Sequence, residues 1–470
     1  MRLRASAPKR GAVRKILRAL VTLSLIVLFA HARASANQIP TGWKASNMHP
    51  IGFNDINGHS GFKMSIKHAG DKWYLYMGNQ WTPGWTIVDV TDASNPTVVK
   101  EWNIGDNSGT VQMEQHGNLM VTSLQNKNWG WDKSLPHQEG VAFWDISDPI
   151  NPKFLSKWLT PGGTHRNTFP GGKYAYLAGH EAGIDGQLLV VMDVSDPKEP
   201  RVAGQWWMQG QKPGETNSAP LLSEVAPPGG HGATPSFHGG ITFENNVAYV
   251  AYGPALVLLD ISDPPHPKQI SRLDFSPPFN GIVMHDALKI PGKPYVFVHS
   301  EALGGDTLPD SPFRRSDDLG SCEFSVPLVA MVDVTDQAHP RFMSMFPLPH
   351  PPPGEPYTDF CDKGGRFGPH NTNLLQHNPD VEKQADLIYL AYFGAGLRIF
   401  NIADPRDPRE VGWFIPPTPT KRLGPVPAKL VNSTEEVLVD TRGNIYITDR
   451  QWGLFVLRYT GDDQPKPTAK

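Results

Sequence analysis

The sequence has 470 residues, a formal net charge of −3, and a high content of glycine (45) and proline (46). Residues 1–36 contain eight basic and no acidic residues, so the remaining chain carries a net charge of −11. This acidic balance argues against nucleic acid or an anionic membrane as a partner, because both bind basic surfaces.

Residues 1–36 have the pattern of a secretory signal peptide. A basic segment precedes the short apolar segment Ala19–Ala30, and Ala34-Ser35-Ala36 matches an A-x-A cleavage site. An uncleaved membrane anchor is the alternative, but twelve residues are fewer than the ~20 that a spanning helix needs. We therefore expect a secreted or periplasmic protein that is cleaved near Ala36 and has no transmembrane anchor.

One phrase recurs along the rest of the chain: an apolar strand, then Asp-x-Ser/Thr-Asp-Pro, then a second proline. "LVVMDVSDPKEP" (189–200) is one copy and "LVLLDISDPPHP" (256–267) is another. Asp and Ser side chains bond nearby backbone N–H groups and proline fixes a turn, so each copy predicts a strand that ends abruptly. The aligned residues of the seven copies are Asp89, Asp145, Asp193, Asp260, Asp333, Asn401 and Arg458.

Further strand patterns flank each copy, such as "KYAYLAG" (173–179) before it, so each unit has four strands. Four-stranded units at this spacing are typical of propeller blades. We predict an all-β fold, a seven-bladed β-propeller with four-stranded antiparallel blades, over residues 37–462, with a disordered tail at 463–470. The last copy lacks a fourth strand, and we expect the N-terminal segment "MHPIGFND" (48–55) to supply it and close the ring.

The repeated phrase resembles the LVIVD repeat of secreted and cell-surface bacterial propellers. The resemblance covers most of residues 60–460 and implies the propeller fold. It implies little about activity, because a fold does not determine function.

Four consecutive blades begin their innermost strand with a histidine, in "THRNTF", "FHGGITF", "MHDALKI" and "PHNTNLL". Inner strands begin beside the central channel, so we expect these side chains to converge at its mouth. Neutral imidazole is a common ligand of transition metals. We therefore predict that one iron, copper or zinc ion binds to His165, His238, His285 and His370.

Two second strands end in further polar residues near the same face. Glu181 and Glu301 are predicted to accept the second N–H of a ligating histidine, as carboxylates around metal sites commonly do. His180 and His299 are predicted to transfer protons or to contact the substrate.

Arg450 and Trp207 are predicted to contact an anionic group and a sugar or aromatic ring of the substrate, respectively. Each of these residues also has a structural interpretation: the arginine could pair with a nearby acid, the tryptophan could pack a loop, and the four histidines could bond backbone between blades. Metal-free acid/base catalysis by the histidines is a third interpretation. Their restriction to four adjacent blades favours a functional role, since a structural residue is expected in every blade.

A four-histidine centre on a seven-bladed propeller resembles the carotenoid-cleaving oxygenases, and central histidines resemble the copper-dependent methanethiol oxidase propellers, in architecture only. The leading hypothesis is an exported, metal-dependent oxidoreductase that acts on a small organic substrate. A non-catalytic propeller that binds a glycan or a protein, and a polysaccharide lyase or hydrolase, are the alternatives. We expect a monomer with a small-molecule or glycan ligand at the mouth.

The chain contains two cysteines, Cys322 and Cys361, and both lie in loops rich in glycine and proline. In an oxidising compartment we expect them to form a disulfide, with two free thiols as the alternative.

Overall fold

The computed structural model describes residues 38–103, 108–125, 135–216, 235–275, 283–301, 327–383, 385–425, 427 and 429–462. The expected signal peptide (1–36), Cys322 and the expected tail (463–470) lie outside the described residues. Cys361 is disulfide-bonded. Within the described part of the chain, no helix combines the length and apolar character needed to cross a bilayer.

The described residues form seven four-stranded antiparallel sheets, which are the seven predicted blades. We number the blades in chain order and their strands from the inside outwards. Blade one contains Gly61–Ala69, Lys72–Asn79, Trp85–Asp89 and Thr97–Trp102; blade two contains Met113–His116, Leu119–Leu124, Gly140–Asp145 and Lys153–Leu159; blade three contains Asn167–Thr168, Tyr174–Gly179, Leu188–Asp193 and Arg201–Trp206.

Blades four and five repeat this arrangement, and short helical turns are rare. Among the described residues, a 3-10 turn at Ile56–Gly58 and an α-helix at Phe360–Lys363 are the helical elements. Blade four contains Gly239–Glu244, Val247–Tyr252, Ala255–Asp260 and Lys268–Asp274; blade five contains Met284–Lys289, Tyr295–Ser300, Val329–Asp333 and Arg341–Met345.

The N-terminal segment completes the last two blades. Blade seven contains Thr434–Val439, Ile445–Asp449, Gly453–Tyr459 and, as its outermost strand, Met48–Asn54, which confirms the predicted ring closure. Blade six contains Leu387–Ala391, Leu397–Asn401 and Arg409–Ile415, and the sequence did not indicate that Lys44–Ser46 pairs with its outer edge. The inner position of blade six is reduced to a bridge between Thr372 and Leu390.

The hydrophobic core of the described residues is divided into seven clusters, each between two neighbouring blades. The cluster between blades seven and one, for example, contains Leu454 and Val456 of the last blade and Met64 and Leu75 of the first. Burial between sheets therefore holds the ring together, and the channel side is left for polar residues.

The repeated turn has a structural explanation. Asp193 Oδ1 accepts hydrogen bonds from Ser195 N (2.9 Å) and from Ser195 Oγ (2.6 Å). Glu199 N then donates to Asp196 O, which completes the turn. The first of these bonds, to the backbone N–H two residues later, recurs at Asp89, Asp145, Asp260, Asp333 and Asn401.

The same turn also joins neighbouring blades. The fourth strand has a β-bulge, and the residue beyond it reaches the turn of the next blade: Ser344 Oγ donates to Pro405 O (2.7 Å). Ser156 Oγ and Ser271 Oγ make the corresponding bonds in other blades. At Gly204 the contact is so close that an added Cβ would lie 1.9 Å from Pro265 O. The repeated sequence therefore has a structural role: the turn of each blade contacts the fourth strand of the preceding blade.

Replacing Ser344 by alanine is expected to lower the free energy of unfolding by about 1–2 kcal/mol, because the buried Pro405 carbonyl loses its donor. Thermal or denaturant unfolding measures the change. Ser195→Ala is the matched control, since that exposed hydroxyl bonds within its own turn, and its effect is expected to stay within about 0.5 kcal/mol. Equal effects of the two substitutions would contradict the role in joining blades.

Candidate metal centre

The four predicted histidines lie next to one another at the mouth of the channel. The ring centroids of His165 and His238 are 5.0 Å apart, those of His238 and His285 are 4.8 Å apart, and those of His285 and His370 are 4.8 Å apart. His285 and His370 are buried, whereas His165 and His238 are half-buried. The row of imidazoles is therefore accessible to solvent at one end and enclosed at the other.

The backbone at the start of each inner strand positions these side chains. In blade five, Glu301 N donates to Val283 O, and His285 follows two residues after that carbonyl. Met284 pairs with Ser300 and Asp286 with His299, so His285 lies in a β-bulge, a feature that redirects a side chain. In three other blades, the carbonyl two residues before the equivalent position also accepts a backbone hydrogen bond. The equivalent positions are His238 in blade four, Glu435 in blade seven and Phe62 in blade one.

The carboxylate of Glu301 lies among the imidazoles. Its Oε2 is 3.5 Å from His238 Nδ1 and 4.0 Å from His285 Nε2, and its Oε1 is 3.8 Å from His370 Nε2. One ligand atom from each of His238, His285 and Glu301 lies within 4.8 Å of the other two. Glu301 was predicted to be a supporting acceptor, but its position also allows it to bind an ion directly.

Arg366 is the partner of Glu301 and was not predicted. Its guanidinium NH2 lies 2.8 Å from Glu301 Oε1, and its Cζ lies 4.1 Å from the centre of the Phe393 ring. Burial raises the pKa of Glu301, but the Arg366 guanidinium outweighs burial and holds the pKa well below its usual range. Glu301 is therefore an ionised carboxylate, as a metal ligand must be.

A second layer of buried polar groups lies behind His285. Arg166 NH1 donates to Asp286 Oδ1 (2.6 Å) and to His285 O (3.0 Å). Asp286 Oδ1 is 3.5 Å from His285 Nδ1, and Asp286 Oδ2 is 3.2 Å from His299 Nε2. Burial raises the pKa of Asp286, but the Arg166 charge holds it well below its usual range. Burial, reinforced by Arg166, lowers the pKa of His285 to about 4, so its imidazole is neutral.

Arg166 reaches across blade four to make these contacts. Its side chain passes directly over Gly239, where an added Cβ would lie 2.1 Å from Arg166 Cδ. Arg166 NH2 also donates to Asn371 Oδ1 in blade six (2.6 Å). Gly239 therefore leaves the space that the arginine occupies, and a single side chain links blades three, five and six.

Behind His370 lies a similar layer from blade seven. His370 Nδ1 is 2.7 Å from Glu435 O and 3.3 Å from Glu435 Oε2. Arg450 is buried and forms an ion pair with Glu435. Beside them, Lys63 Nζ pairs with Glu436 Oε2 at 3.0 Å, and burial raises the pKa of Glu436 to about 7. Arg450 was predicted to hold a substrate anion, but the structure places it behind His370.

Three other predicted residues, His180, Glu181 and Trp207, lie apart from this arrangement, and a fourth, His299, lies beneath it. His180 Nδ1 lies 3.1 Å from Gly163 O, and Glu181 is exposed and accepts a hydrogen bond from Gln205. Trp207 donates from Nε1 to Glu215 Oε1 (3.2 Å), which packs its own loop. His299 is fully buried beneath the row, where it contacts Asp286 rather than the mouth.

Three of the polar residues that were not predicted share a feature of the sequence that could have identified them. Arg166, Asp286 and Asn371 each follow a predicted histidine directly, in "HR", "HD" and "HN". Side chains that alternate along a strand form two layers, and the second layer in these blades consists of polar residues, two of them charged. Arg366 lies four residues before His370 in a loop outside the repeat. Its position therefore could not be predicted by comparison with the other blades.

The family model for the LVIVD repeat matches residues 64–103, 171–206 and 240–274, which correspond to most of blades one, three and four. The chain carries LVIVD repeats. The expected resemblance is therefore confirmed, and the propeller built on these repeats is the frame of the histidine row.

Solved structures similar to this LVIVD-repeat propeller include a functionally unknown protein from Desulfotomaculum acetoxidans. It is 12% identical with a TM-score of 0.43, and the match covers 73% of this chain and 83% of that one. The β-propeller domain of Cps50 (Swd1) from Myceliophteria thermophila is 9% identical with a TM-score of 0.48, covering 86% and 97%. A protein from Lactobacillus plantarum is 12% identical with a TM-score of 0.47, covering 86% and 96%. No curated protein matches the sequence.

Proposed function

We propose that the protein is an exported oxidoreductase that holds one transition-metal ion between His238, His285 and Glu301 and acts on a small organic substrate at the channel mouth. The observation that supports it most is the convergence of two imidazoles and one carboxylate within 4.8 Å. Export is supported by the signal-peptide pattern of residues 1–36. This ligand set replaces the four-histidine set as the proposal, with His165 and His370 flanking it.

Two imidazoles and a carboxylate on one side of an ion leave other positions open for substrate or oxygen. This combination is typical of non-haem Fe(II) oxygenases, so iron is preferred here to copper or zinc. When bound, the ion would supply the redox or Lewis-acid chemistry that these side chains lack.

The surrounding residues have roles that follow from their contacts. Arg166 NH1 lies 3.3 Å and Asp286 Oδ1 lies 3.5 Å from His285 Nδ1, so these two side chains hold the orientation of the ring. Arg366 holds the Glu301 carboxylate in place through its bond to Oε1. His370 is fixed at Nδ1 by Glu435, so its Nε2 faces Glu301 and the ion position.

Metal analysis of the purified protein tests the proposal. We expect about one transition-metal ion per chain in wild type and a loss of at least tenfold in metal affinity in His238→Ala/His285→Ala and in Glu301→Gln, because ligands are removed. His266→Ala/His339→Ala is the matched control, since both histidines are exposed and pair with aspartates in turns.

Elemental analysis and titration with Fe(II), Co(II) and Zn(II) measure the affinities, and thermal unfolding checks that each variant folds. If wild type and the His238→Ala/His285→Ala variant bind metal equally, the proposed ligand set is wrong. If neither binds any ion, the imidazole row is metal-free and a non-catalytic, ligand-binding propeller becomes the better hypothesis.

A further inference from the structure

Among the described residues, four buried carboxylates around the proposed ion each have a cationic partner. The four ion pairs have side chains that are at most 12% exposed, and they are Glu301–Arg366, Asp286–Arg166, Glu435–Arg450 and Glu436–Lys63. A fifth carboxylate, Asp449, accepts backbone N–H bonds from Ser433 and Gln451 and lies next in the chain to Arg450.

These pairs decide the charge of the site. Imidazoles bind metals in the neutral form, so the row of histidines adds no charge. Each of the four paired carboxylates cancels one guanidinium or ammonium group, and Asp449 adds at most one negative charge, so the charges of these described residues sum to between zero and −1. A divalent ion bound by His238, His285 and Glu301 would therefore leave one to two positive charges that these described side chains do not cancel.

An uncompensated charge is costly where solvent is largely excluded. His285 is 2% exposed and Glu301 is 12% exposed, so water screens the ion poorly on the protein side. The cost falls when an anion occupies the open positions. A neutral ligand of the same shape does not provide this compensation.

We infer that the open positions of the ion take an anionic ligand, and that the substrate or a co-substrate carries an anionic group. This inference rests on the proposed function, because it requires the ion. It extends the proposed function by specifying the charge of the molecule that binds at the mouth.

Acetate and acetamide are suitable probes, because they share a shape and differ in charge. The full mature chain is loaded with Co(II), and each probe is titrated while the visible d–d spectrum is followed. We expect acetate to bind at least tenfold more tightly than acetamide. The apoprotein, titrated with acetate by calorimetry, is expected to show no comparable binding.

Charge variants separate this effect from the intrinsic preference of Co(II) for carboxylates. Glu435→Gln leaves Arg450 uncompensated and is expected to tighten acetate binding about tenfold, whereas Arg450→Gln is expected to weaken it about tenfold. The double variant Glu435→Gln/Arg450→Gln is expected to return to the wild-type affinity, and acetamide binding is expected to change little. Asp407→Asn and Arg409→Gln are matched controls, because they change the same charges in an exposed pair.

The outcomes distinguish the two proposals. Failure of wild type to bind Co(II) overturns the metal centre and this inference with it. Binding of Co(II) with equal affinities for acetate and acetamide, or with no opposite shifts in the two variants, overturns this inference alone. If Arg450→Gln does not fold, Glu435→Gln and the double variant still give the sign of the charge effect.

Discussion

Deleting residues 38–54 while keeping residues 1–37 is expected to abolish cooperative folding of the propeller. The deletion removes Met48–Asn54, the outer strand of blade seven, and Lys44–Ser46, the added strand of blade six. Gly453–Tyr459 then becomes an unpaired, apolar edge that invites aggregation.

The size of the effect follows from burial. Met48 is 6% exposed and Phe53 is 4% exposed, and each contributes about 1.5–3 kcal/mol through burial alone. The backbone bonds of the strand and the bond from Asn54 Nδ2 to Pro96 O, which ties blade seven to blade one, are lost as well. Together these losses are comparable to the roughly 5–15 kcal/mol by which a domain is stable.

Far-UV and near-UV circular dichroism during thermal unfolding, with size-exclusion chromatography, measure the result. Phe53→Ala is the milder variant and is expected to cost about 3–5 kcal/mol while leaving the ring closed. Removing residues 463–470 is the control deletion. A synthetic peptide of residues 38–54 is expected to restore part of the stability in trans. Cooperative unfolding of the deletion variant at the wild-type temperature would show that the N-terminal strand does not close the ring.

The propeller was predictable because its information is local and repeated. Each copy contains its own strand, its own turn residues and its own proline, so the blade could be recognised without knowing its neighbours. The closing strand was predictable because the last copy of the repeat lacks a fourth strand. The N-terminal segment "MHPIGFND" resembles the strand that is missing. The pairing of Lys44–Ser46 with blade six was missed because three residues carry no periodic pattern.

The histidine row was predictable for the same reason, since equivalent positions in adjacent blades meet at the channel. The equivalence of positions between blades does not, however, predict the direction in which each side chain points. Glu301 was predicted as a supporting acceptor near the histidines, and only the structure shows its carboxylate beside both His238 and His285. Arg166 and Asp286 are 120 positions apart in the sequence, so nothing local connects them.

Replacing Arg166 by methionine is expected to lower the free energy of unfolding by about 3–5 kcal/mol, because it leaves the buried carboxylate of Asp286 without its cation. Methionine keeps much of the length of the side chain that passes over Gly239, so lost packing is a minor part of the change. Denaturant unfolding of the metal-free protein measures the effect without a contribution from any ion.

The second half of this test separates the charge from the arginine itself. Arg166→Met/Asp286→Asn is expected to recover most of the lost stability, because the uncompensated charge is gone although the bond to Asn371 is still missing. Arg201→Met is the matched control, since its pairing with Glu199 is exposed and is expected to matter by no more than about 1 kcal/mol. If Arg166→Met and Arg201→Met cost the same, the buried layer does not hold the ring together. If only Arg166→Met is costly, the buried layer stabilises the ring behind His285, which is a proposed ligand of the ion.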